Sequence, residues 1–224
     1  MNTNQKKYDT ILWDLDGTLL YTLDDLANSV NAALVAFNLP THSNEKIKTF
    51  VGNGVEKLMA RAVAGGKDNP DFPAIFAFFK EHYQKNCNNS TRPYDGILPL
   101  LDKLKAEGWK QGIVSNKIDP AVKELAAIYF SEQMQAAVGD NPQHRKKPAP
   151  DNVEYALSQL NSTKERTIFI GDSEVDIMTA QNAGTAMIIV DWGYKDRNYL
   201  QEKGGQNVVS STAELYQVLQ RLNG

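Results

Sequence analysis

Two aspartates, Asp14 and Asp16, stand two residues apart directly after the short apolar run at residues 10–13. That run predicts a buried strand. Side chains alternate along a strand, so both carboxylates are expected to leave its carboxyl end on one side, where open α/β sheets bind ligands. Like charges held this close repel, and a hard divalent cation such as Mg²⁺ would relieve the repulsion. The pair also offers a nucleophile and an acid/base group; the alternatives are that Asp-Gly-Thr is an ordinary turn and that Asp14 or Asp16 is a helix cap.

Three later segments are expected to bring further polar groups to the same edge. Ser115 and Asn116 follow a predicted strand, and Lys147 precedes a Pro-Ala-Pro segment. Asp172 follows another strong strand, with Asp176 four residues further on. Hydroxyl and backbone N–H groups bind phosphoryl oxygens, a lysine offsets their charge, and another carboxylate can complete an oxygen-rich Mg²⁺ site. The set suits a phosphate monoester, with Ser115, Asn116 and Lys147 as candidate phosphate-binding residues.

Three of these positions have competing interpretations. Asp176 stands three residues after Ser173, which is the spacing of a capping box, so it either caps its helix or contributes to the metal site. Lys146 competes with Lys147 for the phosphate, and the spacing to the two prolines favours Lys147. Ser115 could also be a plain strand-end hydroxyl.

The elements that must position these residues show two patterns. Residues 21–89 have helical spacing of apolar residues, and Thr22 with Asp25 is spaced like a variant capping box. From residue 90 onward, strands and helices alternate, which predicts right-handed βαβ units and a parallel sheet covered on both faces. The fold class is therefore α/β: a Rossmann-like parallel sheet core flanked by helices, residues 1–20 and 90–224, with an inserted all-helical cap domain, residues 21–89. Such an insertion, directly after an active-site strand, can act as a lid.

The composition excludes several classes of partner. The 224 residues carry a formal net charge of −3, so no basic surplus exists to bind a nucleic-acid backbone. The apolar runs are too short to span a bilayer. A single cysteine, Cys87, allows no internal disulfide and favours a reducing cytoplasm. The expected partner is a small phosphorylated metabolite, and both a monomer and a homodimer remain open.

At the level of motifs, the chain resembles the haloacid dehalogenase superfamily on its phosphatase side. The matching segments are residues 14–19, 114–116, 147–150 and 171–176, and they occur in the family's order. The insertion resembles the helical type of cap in that superfamily. Residues 51–56, 92–97, 115–117 and 192–194 are similar to segments of phosphoglycolate phosphatases.

The resemblance implies a role for each motif residue. Asp14 would attack phosphorus and become an aspartyl-phosphate. Asp16 would protonate the leaving alkoxide and then take a proton from the hydrolytic water. Ser115 and Lys147 would hold the transferring phosphoryl group. Mg²⁺ would be bound by Asp14, Asp172 and the backbone carbonyl of Asp16.

The insertion contains one segment of interest, Gly52-Asn53-Gly54. By composition it is a flexible turn between helices. The resemblance favours the alternative, a loop whose backbone faces the substrate and sets specificity. Tyr21, near the start of the insertion, stands where related phosphatases often carry an acidic residue.

Three hypotheses of function follow. The leading one is an enzyme, a phosphoric monoester hydrolase that acts with Mg²⁺ through an aspartyl-phosphate, with 2-phosphoglycolate as the first candidate substrate. The second is a sugar-phosphate mutase of the β-phosphoglucomutase type, which would use the same aspartates. The third is a non-catalytic binding module, against which the joint presence of Asp14, Asp16, Lys147 and Asp172 argues.

Overall fold

The structure, a computed structural model, describes residues 7–52 and 54–224, and the chain forms two compact units. The α/β unit comprises the described residues up to Leu19 together with Pro93–Gly224, and the helical unit comprises Leu20–Arg92. In chain order the strands and α-helices are β1 (Thr10–Trp13), β2 (Leu20–Tyr21), α1 (Leu23–Ala36), α2 (Asn44–Phe50), α3 (Val55–Ala62), α4 (Phe72–Asn86), β3 (Arg92–Pro93), α5 (Ile97–Ala106), β4 (Lys110–Ile118), α6 (Asp119–Phe130), β5 (Ala136–Asp140), α7 (Asp151–Leu160), β6 (Thr167–Gly171), α8 (Glu174–Ala183), β7 (Ala186–Val190), α9 (Arg197–Glu202), β8 (Val208–Val209) and α10 (Thr212–Asn223).

The α/β unit contains one parallel sheet of six strands in the order β5-β4-β1-β6-β7-β8. The chain runs outward from β1 through β4 to β5, and then returns to the other side of β1 for the remaining strands. The direction of winding therefore reverses beside β1, and ligands of such sheets bind outside the carboxyl ends of the strands at this point. The predicted parallel α/β core is confirmed. The short elements α9 and β8 were not predicted, because six and two residues carry little periodicity.

Strand β1 is placed by its burial. It pairs with β4 on one side and β6 on the other, and Ile11, Leu12 and Trp13 are fully buried. A strand covered on both faces has a continuous apolar sequence, which explains why residues 10–13 do not alternate. Leu12 packs in a cluster with apolar side chains of α7 and α8. Burying each such aliphatic side chain stabilises the fold by about 1.5–3 kcal/mol. The end of β1, and with it the backbone position of Asp14, is therefore firmly held.

The helical unit contains α1 to α4, and α1 packs against α4. The expected helical run over residues 21–89 fails at its first residue, because Tyr21 forms the short strand β2, which pairs with β3. The capping box expected at Thr22 is also wrong, since the Thr22 side chain makes no capping hydrogen bond. The carboxylate of Asp25 instead accepts hydrogen bonds from the backbone N–H groups of Ser90 and Thr91 and from the Thr91 hydroxyl, each at 2.9 Å. Among the described residues, no helix combines the length and apolar character needed to cross a membrane.

Candidate active site

The first aspartate is fixed at the carboxyl edge of the sheet by the ladder itself. The backbone N–H of Asp14 donates to the carbonyl of Ile170, the fourth residue of β6, at 2.8 Å. Asp14 is buried, whereas Asp16 is partly exposed. Gly17 then turns the chain with φ +91°, a conformation that favours glycine, and a Cβ at this position would collide with the carboxylate of Asp172.

A buried lysine joins two of the predicted carboxylates. Nζ of Lys147 lies 2.7 Å from Oδ1 of Asp14 and 2.7 Å from Oδ1 of Asp176, and the lysine side chain is only 3% exposed. The competing Lys146 has a side chain that is 43% exposed, and its Nζ lies 3.7 Å from a carboxylate oxygen of Asp140. The structure therefore places Lys147, rather than Lys146, among the carboxylates.

The third carboxylate, Asp172, follows β6 and is enclosed by a loop from a distant part of the chain. The backbone N–H of Tyr194 donates to Oδ2 of Asp172 at 2.7 Å. A Cβ at Gly193 would collide with the same carboxylate, so the loop can approach this closely only because that residue is glycine. Residues 192–194 thus contribute a backbone donor to the site.

Of the two roles expected for Asp176, the helix cap is confirmed and the contribution to a metal site stays a prediction. The N–H and the hydroxyl of Ser173 donate to Oδ2 of Asp176 at 3.1 and 2.6 Å, and the predicted capping box is present. The other carboxylate oxygen makes the contact with Lys147. Asp176 therefore caps α8 and at the same time forms one wall of the acidic cluster.

Burial and the nearby carboxylates both raise the pKa of Asp14. Burial raises the pKa of Asp14 to about 7; the charges of Asp176 and Asp16 also raise it, and the ammonium of Lys147 opposes them. Burial, followed by the charges of Asp176 and Asp14, likewise raises the pKa of Asp172 well above its ordinary value.

The pKa of Lys147 shifts in the opposite direction from that of a lone buried amine. Burial by itself would lower its pKa, but the charges and hydrogen bonds of Asp14 and Asp176 outweigh burial and raise the pKa above the ordinary value. The lysine is therefore a permanent cation at this position.

The charges in the cluster fit a divalent cation. Asp14, Asp172 and Asp176 each offer a carboxylate oxygen, and these oxygens all lie within 4.8 Å of one another. In the part of the chain that the structure describes, three carboxylates face the buried ammonium of Lys147, so full ionisation gives the cluster an excess of negative charge. Oxygen ligands of this kind are the ones that hard divalent cations prefer.

The predicted phosphate-binding segment lies at the end of β4, beside the same edge. Ser115 is buried, and its Oγ accepts a hydrogen bond from the backbone N–H of Lys117 at 3.2 Å. Nδ2 of Asn116 donates to the carbonyl of Lys147 at 3.0 Å. The side chain of Asn116 thus ties the end of β4 to the segment that carries Lys147.

One residue that the sequence interpretation gave no role contacts the second aspartate. Nζ of Lys117 lies 3.1 Å from Oδ1 of Asp16, and the lysine side chain is 2% exposed. Its position two residues after Ser115 was the available signal, because residues two apart on a strand share a face. That signal is weak, since the same spacing is common on any strand.

The segment predicted to set specificity belongs to the helical unit. Gly52 and Gly54 have φ of +128° and +85°, in the region that favours glycine, and Gly54 is the N-cap of α3. Asn53 lies outside the described residues, so its proposed substrate contact stays a prediction.

Comparison with known proteins identifies the class. The family of haloacid dehalogenase-like hydrolases matches residues 11–190, which include every residue of the acidic cluster. The chain belongs to this family and is an enzyme of the hydrolase class. Enzymes of this family generally use a divalent metal, and the buried cluster is compatible with one.

Individual relatives narrow the class further. The chain is 32% identical to the phosphoglycolate phosphatase of Haemophilus influenzae, over 98% of this chain and 100% of that protein. It is also 32% identical to an N-acetylmuramic acid 6-phosphate phosphatase of Pseudomonas aeruginosa, over 94% of both chains. A crystal structure of a candidate phosphoglycolate phosphatase from Lactobacillus delbrueckii subsp. bulgaricus superposes with a TM-score of 0.88 at 30% identity and covers 95% of this chain and 98% of that one. The chain is thus similar to phosphatases of phosphate monoesters.

Proposed function

We propose that the protein hydrolyses a small phosphate monoester, with Asp14 as the nucleophile that forms an aspartyl-phosphate. The observation that carries this proposal is the buried contact of Lys147 with Asp14. A carboxylate can attack an anionic phosphate only where cations offset the repulsion, and here a cation is held 2.7 Å from the attacking group.

Lys147 and Ser115 are proposed to hold the transferring phosphoryl group. The ammonium of Lys147 lies between Asp14 and Asp176, so it neutralises charge where phosphoryl oxygens would arrive. The Ser115 hydroxyl accepts the N–H of Lys117 and therefore keeps its own hydrogen available for a phosphoryl oxygen. Asn116 acts by fixing the segment of Lys147.

Asp16 is proposed to serve as the acid and then the base. In the first step the Asp14–phosphorus bond forms, the phosphorus–oxygen bond of the ester breaks, and Asp16 gives its proton to the leaving oxygen. In the second step Asp16 removes a proton from the water that attacks phosphorus, and the Asp14–phosphorus bond breaks. Acid/base help of this kind is worth about 10²–10⁴-fold in rate.

The divalent cation is proposed to be Mg²⁺, held by Asp14, Asp172 and the backbone carbonyl of Asp16. When bound, it supplies charge stabilisation to the phosphoryl group as it transfers. Asp176 is proposed to act on this site through its contact with Lys147 rather than as a ligand of the cation.

The first substrate to test is 2-phosphoglycolate, because several relatives are named for it. N-acetylmuramic acid 6-phosphate is the second, because its named phosphatase is as similar to this chain as the first relative is. We assign the choice between them to the helical unit acting as a cap, with Gly52, Asn53 and Gly54 as its specificity loop. No observation favours the mutase or the non-catalytic module. The cytoplasm is the proposed location.

The test is phosphate release by the purified protein with Mg²⁺ on both substrates and on a panel of sugar phosphates. We expect turnover of at least one ester, loss of that turnover in EDTA with recovery on added Mg²⁺, and loss in Asp14→Asn. The matched control is Glu132→Gln, which makes the same carboxylate-to-amide change at an exposed glutamate that pairs with Lys105 on the surface.

Failure would take a definite form. A folded, Mg²⁺-loaded protein that leaves the whole panel intact would remove the proposal. Turnover that survives in Asp14→Asn at the parent rate would remove Asp14 as the nucleophile.

A further inference from the structure

Lys117 is the buried cation that the proposed chemistry leaves unused. Its side chain is 2% exposed, and its Nζ lies 3.1 Å from Oδ1 of Asp16, whose side chain is 23% exposed. The two residues are 101 positions apart in sequence, so the fold rather than local geometry brings them together.

An irregularity in the sheet sets the position of Lys117. The pairing of β4 with β5 is regular from Gly112 to Val114 and then shifts, so that Ile118 pairs with Asp140. Between these two pairs β4 has three residues, Ser115, Asn116 and Lys117, whereas β5 has only Gly139. Irregularities of this type redirect side chains and are common beside active sites.

Two further contacts hold this irregular segment. The Ser115 hydroxyl accepts the backbone N–H of Lys117. On the facing strand, a Cβ at Gly139 would collide with the backbone of Asp119 and approach the carbonyl of Lys117, so the close fit requires glycine there. The direction of the Lys117 side chain is therefore fixed by backbone structure.

Stability alone does not account for this ion pair. Removing an ammonium from water is costly, and a buried pair often stabilises a fold no more than apolar residues of the same volume would. A contact with a partly exposed carboxylate, such as that of Lys117 with Asp16, therefore brings no clear gain in stability. The pair does, however, fix one oxygen of the carboxylate at an exact place relative to the end of β4.

We propose that Lys117 is a positioning residue for Asp16, and this inference rests on the proposed function of Asp16 as the acid. Lys117 holds Oδ1 of Asp16, which leaves Oδ2 as the oxygen that carries the proton to the leaving oxygen of the ester. Separate lysines therefore contact the two aspartates of the motif. Lys147 contacts the nucleophile Asp14, and Lys117 contacts the acid Asp16.

The consequence is a dependence on the leaving group. An alkyl phosphate expels a poor leaving group and needs the proton from Asp16, whereas p-nitrophenyl phosphate expels a stable anion and needs it little. The parameter to measure is kcat/KM, which reports the steps up to departure of the leaving group. The variants are Lys117→Met, which keeps the length without the charge, Lys117→Gln as a second uncharged variant, and Lys117→Arg, which restores a cation.

We expect Lys117→Met and Lys117→Gln to lose about 10²-fold in kcat/KM on the alkyl ester, and less than about tenfold on p-nitrophenyl phosphate. Lys117→Arg should recover part of the loss on the alkyl ester. Asp16→Asn is the reference and should show the same selectivity to a larger degree. Lys105→Met, which removes an exposed lysine paired with Glu132, is the matched control and should change neither substrate.

The outcomes separate the inference from the function on which it rests. Equal losses on the two esters in both uncharged Lys117 variants would make the lysine merely structural and overturn the inference. A loss confined to KM, and only for substrates that carry a carboxylate, would make Lys117 a substrate-binding residue and also overturn it. If Asp16→Asn itself fails to discriminate between the esters, the acid role of Asp16 falls, and the inference falls with it.

Discussion

At the carboxyl edge of the sheet, Lys147 is 3% exposed and contacts carboxylates that lie 133 and 29 residues away in sequence. On the helical unit, Lys67 pairs with Glu56 at 2.6 Å, with side chains that are 55% and 48% exposed and only 11 residues apart. The distances are alike, but the surroundings are not. Water screens the second pair and leaves it worth little, whereas the first loses its hydration and is retained at a cost.

A short N–O distance does not distinguish the two pairs, but burial and the number of like charges do. At the sheet edge these features raise the pKa of Asp14 to about 7 and raise that of Asp172 as well. Groups perturbed in this way are typical of functional sites.

The same lysine-to-methionine substitution can be made in both regions, and the largest effect is expected at the sheet edge. Lys147→Met removes the ammonium that contacts Asp14 and Asp176 in a cluster of three buried carboxylates, and it should abolish measurable phosphate release. It should also lower the free energy of unfolding by about 3 kcal/mol in metal-free protein, because an unpaired buried charge remains. Urea unfolding followed by circular dichroism, with a phosphate-release assay, measures both. A stable, active Lys147→Met protein would contradict the contrast between the regions.

The second effect is a pH dependence of the free energy of unfolding that arises from Asp14 at the sheet edge. The pKa of Asp14 is raised from 3.8 in the unfolded chain to about 7 in the fold, so the folded state binds more protons than the unfolded one in that window. The free energy of unfolding of metal-free protein should therefore fall as pH rises from about 4 to 7, by on the order of 3 kcal/mol. Each kcal/mol corresponds to about 2–4 °C in Tm.

Metal and mutation provide the control for this prediction. Mg²⁺ binds the ionised carboxylates, so it should raise Tm more at pH 8 than at pH 5 and thereby flatten the slope. Asp14→Asn removes the titrating group and should reduce the slope without added metal. Differential scanning calorimetry across this pH range checks both, and a Tm that rises from pH 4 to 7 in metal-free parent protein would contradict the assignment.

The sequence predicted the sheet edge better than it predicted the contacts there. Strand β1 could be predicted because a strand buried on both faces has a continuous apolar sequence, and Lys147 could be chosen over Lys146 from the neighbouring prolines. The contact of Lys117 with Asp16 could not, because it depends on a shift in pairing between β4 and β5 that no local pattern records. The capping interpretation of Asp25 failed for the same reason, since its partners lie 65 and 66 residues away.

Asp25 provides the third prediction, because it is a buried carboxylate in the helical unit, whose other charged side chains are at least partly exposed among the described residues. Its oxygens accept hydrogen bonds from Ser90 and Thr91 and so tie α1 to the segment after α4. Asp25→Asn keeps the size but replaces one acceptor oxygen with a donor that faces N–H groups. The expected loss is about 1–3 kcal/mol in the free energy of unfolding, with kcat on p-nitrophenyl phosphate within about twofold of the parent. A loss of activity without a loss of stability would instead give Asp25 a part in the chemistry.

The smallest effect is expected for the exposed pair of Lys67 and Glu56 on the helical unit. Lys67→Met, the counterpart of Lys147→Met, breaks an exposed pair and should change the free energy of unfolding by less than about 1 kcal/mol. A double-mutant cycle with Glu56→Gln, run at low salt and at 1 M salt, separates the pair's coupling from the loss of each side chain. The coupling should be small at low salt and vanish at 1 M, because the Debye length there is about 3 Å. A coupling that persists at high salt would mean that burial does not divide the two regions, and that the charges at the sheet edge need another explanation.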